Sequence, residues 1–226
     1  MTVNRPIRVS PSLMCADFLH LGRQLEVMAQ QKVDCLHVDV MDGHYVPNFA
    51  FGPDFCRALA AGCPVPLDIH LMIEDPDAFV PEFAGLPGAT VSFHPETSRH
   101  PLRTVELIRA SGARAGIVLD PALPVQSARH LLPAVDQVCV LTVNPGYAGQ
   151  RLVPRALEKL RELAAALAAE DSAAAVEVDG NVSWENIPGM IERGAQVLVL
   201  GSSSIFEKGG DLARNLQRLY RLIGRG

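Results

Sequence analysis

The 226-residue sequence is poor in lysine, contains no CxxC pair and has no long apolar run. Its three lysines, Lys32, Lys159 and Lys208, lie away from the predicted strand ends, which argues against a Schiff-base aldolase. No stretch reaches the roughly 18 apolar residues of a membrane span, and the N-terminal MTVNRPIR lacks the apolar segment of a signal peptide. The five cysteines are an odd number, so we expect reduced thiols and a cytoplasmic protein.

The charge balance is acidic, and it narrows the choice of partners. A net charge of −5 at pH 7 argues against nucleic acid or an anionic membrane as the main partner. Phosphate ligands stay open, because backbone N–H groups bind phosphate without any lysine. With 48% hydrophobic residues the chain is apolar enough for a large core. Its length fits one domain over residues 1–226.

Short apolar runs alternate with amphipathic stretches along the whole chain. Strands are predicted near 7–12, 34–41, 65–72, 89–94, 114–119, 137–143, 174–179 and 196–200, and helices near 18–31, 52–60, 76–83, 99–111, 124–131, 154–170, 183–192 and 211–223. This alternation predicts an α/β fold, a (β/α)₈ TIM barrel. The alternative is a doubly wound open sheet, which usually opens on a Gly-rich turn, whereas the first strand here continues into SPSLMCADF.

Three of the predicted strands carry polar residues where apolar ones would be expected. Side chains alternate along a strand, so His37 and Asp39 share one face of HVDVMDG, His70 lies in LDIHLM and Asp179 in VEVDG. All four lie near strand C-terminal ends, where barrel enzymes place their active sites. Two imidazoles and two carboxylates suit Zn, Fe(II), Mn or Co. The alternative is that each is a separate polar core residue.

The same residues allow acid and base chemistry. Asp39 and Asp179 lie on strands two and seven, so they could reach a substrate from opposite faces, one removing a proton and the other returning it. The alternative is that they act as ligands only. The second strand lacks the Asp-x-Lys of barrel decarboxylases. Asp68 and Glu177 point inward one layer deeper and are expected to orient the ligands, while His94 receives no role.

Three loops rich in small residues follow strands six to eight: NPGYAGQ (144–150), DGN (179–181) and GSSS (201–204). Their backbone N–H groups, helped by the following helix N-termini, are expected to bind phosphate; singly, each glycine could be only a turn residue. Ser12 is expected either to contact substrate or to fill the barrel. Met41 and Met72 either pack against the reacting carbons or form plain apolar lining. The remaining histidines are interpreted as surface residues: His20, His44, His100 and His130.

These motifs together resemble the ribulose-phosphate 3-epimerase family over nearly the whole chain. The resemblance rests on SPS (10–12), HVDVMDGHYVPN (37–48), LDIHLM (67–72), TVNPGYAGQ (142–150), EVDG (177–180) and SSSIF (202–206). It implies a barrel of the ribulose-phosphate-binding type with one divalent metal ion, Zn before Fe(II), Mn or Co, held by His37, Asp39, His70 and Asp179, with Asp39 and Asp179 as base and acid. With the loop and strand patterns, the expected substrate contacts are Ser12, Met41, His70, Met72, Gly146, Tyr147, Ala148, Gly149, Gly180, Asn181, Gly201, Ser202 and Ser203.

The activity that this resemblance implies is an isomerase reaction of carbohydrate metabolism. It is the epimerisation of D-ribulose 5-phosphate to D-xylulose 5-phosphate at C3, a step of the pentose phosphate pathway, through a metal-stabilised enediolate and in a homo-oligomer. Some residues depart from the family pattern: Leu141 replaces the usual Met, Asp120 replaces Asn, and Asn181 replaces Gly. SPSLMC is more typical of the allulose-6-phosphate 3-epimerase branch, so D-allulose 6-phosphate is the alternative substrate. A catalytically silent barrel that binds sugar phosphates is the alternative of another class, and the intact Asp39 and Asp179 speak against it.

Overall fold

Eight parallel strands form the centre of the computed structural model, which describes residues 6–225. They are β1 Arg8–Pro11, β2 Leu36–Met41, β3 Leu67–Met72, β4 Thr90–Phe93, β5 Arg114–Leu119, β6 Gln137–Leu141, β7 Ala175–Asp179 and β8 Val197–Leu200. Their order in the sheet is β1-β8-β7-β6-β5-β4-β3-β2. A parallel bridge from Ser12 to His37 brings the two end strands together, so the sheet nearly closes on itself. The predicted barrel is confirmed; that the whole chain is one domain stays a prediction.

Helices connect successive strands around the barrel. Within residues 6–225 the α-helices are α1 Leu21–Gln30, α2 Pro53–Gly62, α3 Pro76–Ala84, α4 Pro101–Ala110, α5 Ala156–Ala169, α6 Ile187–Glu192 and α7 Leu212–Leu222. The helix predicted at 124–131 is a 3₁₀ helix, Val125–Ala134. Pro133 inside it has no N–H to donate, so the hydrogen-bond ladder is interrupted at that residue. No helix of the described residues is long and apolar enough to cross a bilayer.

The helix ends follow most of the expected signals. Pro53 opens α2, and Gly112 and Gly194 end their helices with φ of +96° and +105°. The helix predicted from residue 18 begins instead with a 3₁₀ turn, Phe18–His20, which precedes α1. The Asp17 carboxylate accepts from the Leu19 amide, so it caps this turn and not the α-helix.

Side-chain alternation in β2 separates the apolar core from the polar interior of the barrel. Leu36, Val38 and Val40 belong to the large apolar cluster, while His37 and Asp39 are buried among polar groups. Because all strands run parallel, their C-terminal ends meet at one mouth of the barrel. The polar residues of β2, β3 and β7 therefore converge there.

Candidate functional site

The strand register brings the four predicted ligands to one level of the barrel. Asp39 of β2 pairs with His70 of β3, and Ser12, just after β1, pairs with His37. One nitrogen or oxygen atom from each of His37, Asp39, His70 and Asp179 lies within 4.8 Å of the others. Residues that are up to 142 positions apart in the sequence thus form one compact cluster of donor atoms.

The distances define a cage of two nitrogens and two oxygens. Asp39 Oδ1 lies 3.3 Å from His37 Nε2 and 3.4 Å from His70 Nδ1. Asp179 Oδ2 lies 3.9 Å and 4.0 Å from the same two nitrogens. All four residues are buried or, for Asp179, partly buried. Each pair of atoms is close enough for a single cation to contact both.

The unused hydrogen-bonding capacity of this cage fits a metal ion. His37 Nε2 and His70 Nδ1 are buried and have no hydrogen-bond partner among the described residues. Buried polar atoms are nearly always paired, so two orphaned ring nitrogens facing shared carboxylates call for a ligand. A set of two imidazoles and two carboxylates suits borderline divalent cations such as Zn²⁺.

A second polar layer lies beneath the cage and holds His37 in place. His37 Nδ1 donates to Asp68 Oδ2 at 3.0 Å, which leaves the lone pair on Nε2 free for the cage. Asp68 also accepts from Ser10 Oγ at 3.1 Å and from Gln137 Nε2 at 3.0 Å. Glu177 receives a bond from Gln137 at 2.7 Å, while its other oxygen is unpaired. Asp68 therefore orients the His37 ring, and Glu177 lies beside the same nitrogen, with its Oε1 3.8 Å from His37 Nδ1.

The pKa values of the two candidate acid/base carboxyls are shifted in opposite directions. Burial disfavours the charge on Asp39, but the closeness of the His37 and His70 rings outweighs burial, so the pKa of Asp39 lies below its ordinary value. Burial raises the pKa of Asp179 above its ordinary value, with the Asp39 charge acting in the same direction. Ser12 Oγ donates to Asp39 Oδ2 at 3.0 Å and so supports its ionised form. A pair whose environments separate the pKa values is what a base and an acid require.

A cavity at the mouth of the barrel is lined by all the expected substrate contacts: Ser12, Met41, His70, Met72, Gly146, Tyr147, Ala148, Gly149, Gly180, Asn181, Gly201, Ser202 and Ser203. Asp39 and Asp179 line its floor, and Leu141 and Met14 add to its wall. Met41 and Met72 are buried and pack together with Val46. No lysine or arginine of residues 6–225 lines this cavity, so an anion there would meet backbone N–H groups and serine hydroxyls.

The three loops reach the cavity, and each is followed along the chain by an α-helix. After 144–150, 179–181 and 201–204 the next α-helices begin only at Ala156, Ile187 and Leu212. The expected help from helix N-termini in binding phosphate stays a prediction. Gly146 and Gly180 adopt φ of +112° and +96°, which favours glycine and turns the backbone toward the cavity.

Side chains tie these loops to one another. Asn181 has φ of +46°, and its Nδ2 donates to the Gln150 carbonyl at 2.8 Å. Asn186 Nδ2 donates in turn to Asn181 Oδ1 at 2.9 Å. Asn48 Nδ2 donates to the Gly146 carbonyl at 2.8 Å, and the Tyr147 hydroxyl donates to the Pro47 carbonyl. The loops after β2, β6 and β7 therefore form one connected rim around the cavity.

His94 is the site residue to which the sequence assigned no role. Its ring is fully buried, and its Nε2 lies 3.0 Å from His70 Nε2. Burial lowers the pKa of His94, which keeps the ring neutral. The sequence does contain a signal for His94. Thr90 and Ser92 point to the same inner face of β4, and His94, one residue beyond the strand, continues this alternation. The other four histidines set aside as surface residues are exposed.

The fold and this cage define a (β/α)₈ barrel with a candidate divalent-metal site and two carboxyl groups at its C-terminal mouth. Solved structures with the same fold include KGPDC from Streptococcus mutans, with a TM-score of 0.69 and 15% identity over 98% of this chain and 99% of that one. Another is orotidine 5'-phosphate decarboxylase from Pyrococcus horikoshii OT3, with a TM-score of 0.68 and 14% identity over 96% and 99%. At such identity they show the fold alone.

Sequence comparison identifies the family. The model of the ribulose-phosphate 3 epimerase family matches residues 8–206. Ribulose-phosphate 3-epimerase of Bacillus subtilis (strain 168) is 42% identical over 87% of this chain and 91% of its own length. The protein of that name from Escherichia coli (strain K12) is 38% identical over 88% and 89%. The chain belongs to the ribulose-phosphate 3-epimerase family.

Proposed function

We propose that this chain is a metal-dependent ketose-phosphate 3-epimerase, an isomerase, and that its substrate is D-ribulose 5-phosphate. The observation that carries the proposal is the cage of His37, Asp39, His70 and Asp179, whose two ring nitrogens lack partners. Its family relatives carry the name ribulose-phosphate 3-epimerase at about 40% identity. The cage also supplies two carboxyl groups beside one cavity, as a proton-transfer enzyme requires.

The reaction inverts C3 of the ketose. The C3 proton is acidic only because the negative charge left behind delocalises onto the neighbouring carbonyl oxygen as an enediolate. A divalent cation held in the cage would stabilise that charge where it develops. Asp39, whose pKa is lowered and whose Oδ2 accepts from Ser12, removes the proton. Asp179, whose pKa is raised, delivers a proton to the other face of C3.

The cavity wall supports this chemistry by limiting water. Met41, Met72 and Leu141 line the same cavity as Asp39 and Asp179 with apolar surface, and a drier site strengthens the electrostatic interactions within it. Ser12 orients Asp39 through its hydroxyl. The substrate phosphate is proposed to lie at the rim against 146–149, 180–181 and 201–203, where none of the described lysines and arginines lines the cavity.

The substrate itself is tested by two ketose phosphates in parallel. On protein reconstituted with Zn²⁺, the proposed metal, we expect kcat/KM for D-ribulose 5-phosphate to exceed that for D-allulose 6-phosphate about a hundredfold, or about 2.7 kcal/mol of transition-state binding. A preference for the hexulose phosphate would contradict the proposed substrate and would point to Leu141, Asn181 and Ser202 as the residues that set the specificity. Turnover of neither substrate would contradict the enzymatic function.

The assembly and the compartment are further parts of the proposal. Phe18 and Leu19 are exposed by 60% and 90%, and the Phe18 ring packs edge-on against Phe51 at 5.6 Å. Such an apolar patch is typical of a protein contact surface, so we propose a homo-oligomer. Light scattering should give a multiple of 24.3 kDa, and a monomer would contradict the proposed homo-oligomer.

The proposed compartment is the cytoplasm. All five thiols are free, which supports a reducing compartment, and cell fractionation tests this proposal.

A further inference from the structure

His70 is the first member of a row of hydrogen-bonded side chains that leads from the cage to the protein surface. His70 Nε2 lies 3.0 Å from His94 Nε2, and His94 Nδ1 lies 2.8 Å from the Tyr45 hydroxyl. The Tyr45 hydroxyl donates to Glu96 Oε1 at 2.9 Å. The Glu96 side chain is 33% exposed, so the row ends at solvent. The His70 and His94 rings stack with centroids 5.2 Å apart.

The Glu96 carboxylate determines the direction of every bond in this row. A carboxylate only accepts, so Tyr45 must donate to it and is left to accept from His94 Nδ1. A neutral His94 with its proton on Nδ1 has its lone pair on Nε2, which accepts from His70 Nε2. His70 therefore carries its proton on Nε2, and its orphaned Nδ1 presents a lone pair to the cage.

The other histidine of the cage is held in the same way, but directly. His37 Nδ1 donates to the Asp68 carboxylate at 3.0 Å, which leaves the Nε2 lone pair for the cage. Each imidazole is thus oriented by a carboxylate on its far side, an arrangement typical of metal-bound histidine. For His37 the carboxylate is buried Asp68. For His70 it is Glu96, which acts through His94: the Glu96 Oε1 lies 3.3 Å from His94 Nδ1 and also accepts from the Tyr45 hydroxyl.

We propose that His94, Tyr45 and Glu96 are positioning residues that set the tautomer and ring orientation of His70, so that its Nδ1 is ready to bind the divalent cation. The inference rests on the metal site proposed above. None of the three contacts the reacting carbons; they act on the cation through His70. If the hydrogen bonds of this row ran in the opposite direction, His70 would carry its proton on Nδ1. That nitrogen would then have no lone pair for the cation, and one of the four ligands would be lost.

The test is the Zn²⁺ dissociation constant, measured by competition with a chelating indicator on full-length protein. His94→Phe keeps an aromatic ring but removes the acceptor, and we expect it to weaken Zn²⁺ binding about 10- to 100-fold. His94→Gln places an amide oxygen within reach of His70 Nε2 and should recover part of that loss. Glu96→Gln, at a partly exposed position, should weaken binding about two- to tenfold.

The control is His130→Phe, the same substitution at an exposed position, which should leave the Zn²⁺ dissociation constant unchanged. Excess Zn²⁺ should restore kcat in the His94 variants, and binding of inorganic phosphate should not change, whereas general damage to the fold would alter both. Unchanged Zn²⁺ affinity in His94→Phe and Glu96→Gln would overturn the inference; if His94→Phe does not fold, Glu96→Gln decides alone. Absence of Zn²⁺ binding by the unsubstituted protein would instead overturn the proposed metal site, and the inference with it.

Discussion

Asp179→Asn is expected to lower the epimerisation rate about 100- to 10,000-fold, the range typical of a lost general acid or base. Asn has nearly the shape of Asp but cannot exchange a proton with C3, so inversion stops. Asp179 lines the cavity and is partly exposed, and its pKa is raised by burial and by the Asp39 charge. The loss should be mainly in kcat, because the phosphate rim keeps its own contacts.

Deuterium exchange gives the sharper measurement of this variant. In D₂O, the epimer whose C3 proton faces residue 179 should stop exchanging, while the other epimer still exchanges through Asp39. Asp39→Asn should show the reverse pattern. Metal content must be measured alongside, since both residues belong to the cage.

The matched control is Asp171→Asn, which makes the same chemical change at an exposed position. Asp171 has φ of +51°, a conformation that Asn adopts readily, so its rate should equal that of the unsubstituted protein. Normal epimerisation and exchange of both epimers by Asp179→Asn would rule out the two-carboxylate mechanism.

Removal of the metal is the second large effect that we expect. Dialysis against a chelator should abolish epimerisation and lower the melting temperature. A cation present at 100 times its dissociation constant stabilises the fold by about 2.7 kcal/mol. At this chain length each kcal/mol corresponds to about 2–4 °C, so the fall should be about 5–10 °C. Without a cation, His37 Nε2 and His70 Nδ1 are left buried and unpaired.

Recovery on adding metal back separates this effect from irreversible damage. Zn²⁺ should restore both activity and melting temperature, and elemental analysis of the purified protein would identify the metal that it carries. His37→Ala should respond weakly to Zn²⁺, whereas His130→Ala, at an exposed position, should respond like the unsubstituted chain. Full activity in protein shown to be free of metal would contradict metal dependence.

The sequence by itself determined the barrel and the composition of its mouth. Alternation of period two placed His37 and Asp39 on the inner face of β2, and the parallel strand-helix alternation placed His70 and Asp179 at the same end. The small residues of 144–150, 179–181 and 201–204 indicated where a phosphate would meet backbone. These features are local patterns combined with one rule of topology, so a single sequence suffices to read them.

The tertiary structure alone decided how these residues are held. Tyr45 and His94 lie 49 positions apart, and Asn181 and Gln150 lie 31 apart, with no local pattern that announces either contact. The structure also showed that 125–134, predicted as a helix from residue 124 to 131, is a 3₁₀ helix. The physical reason is that a hydrogen bond between side chains is sensitive to differences in distance of a fraction of an ångström. The packing of the barrel sets such distances, whereas the periodicity of the sequence does not.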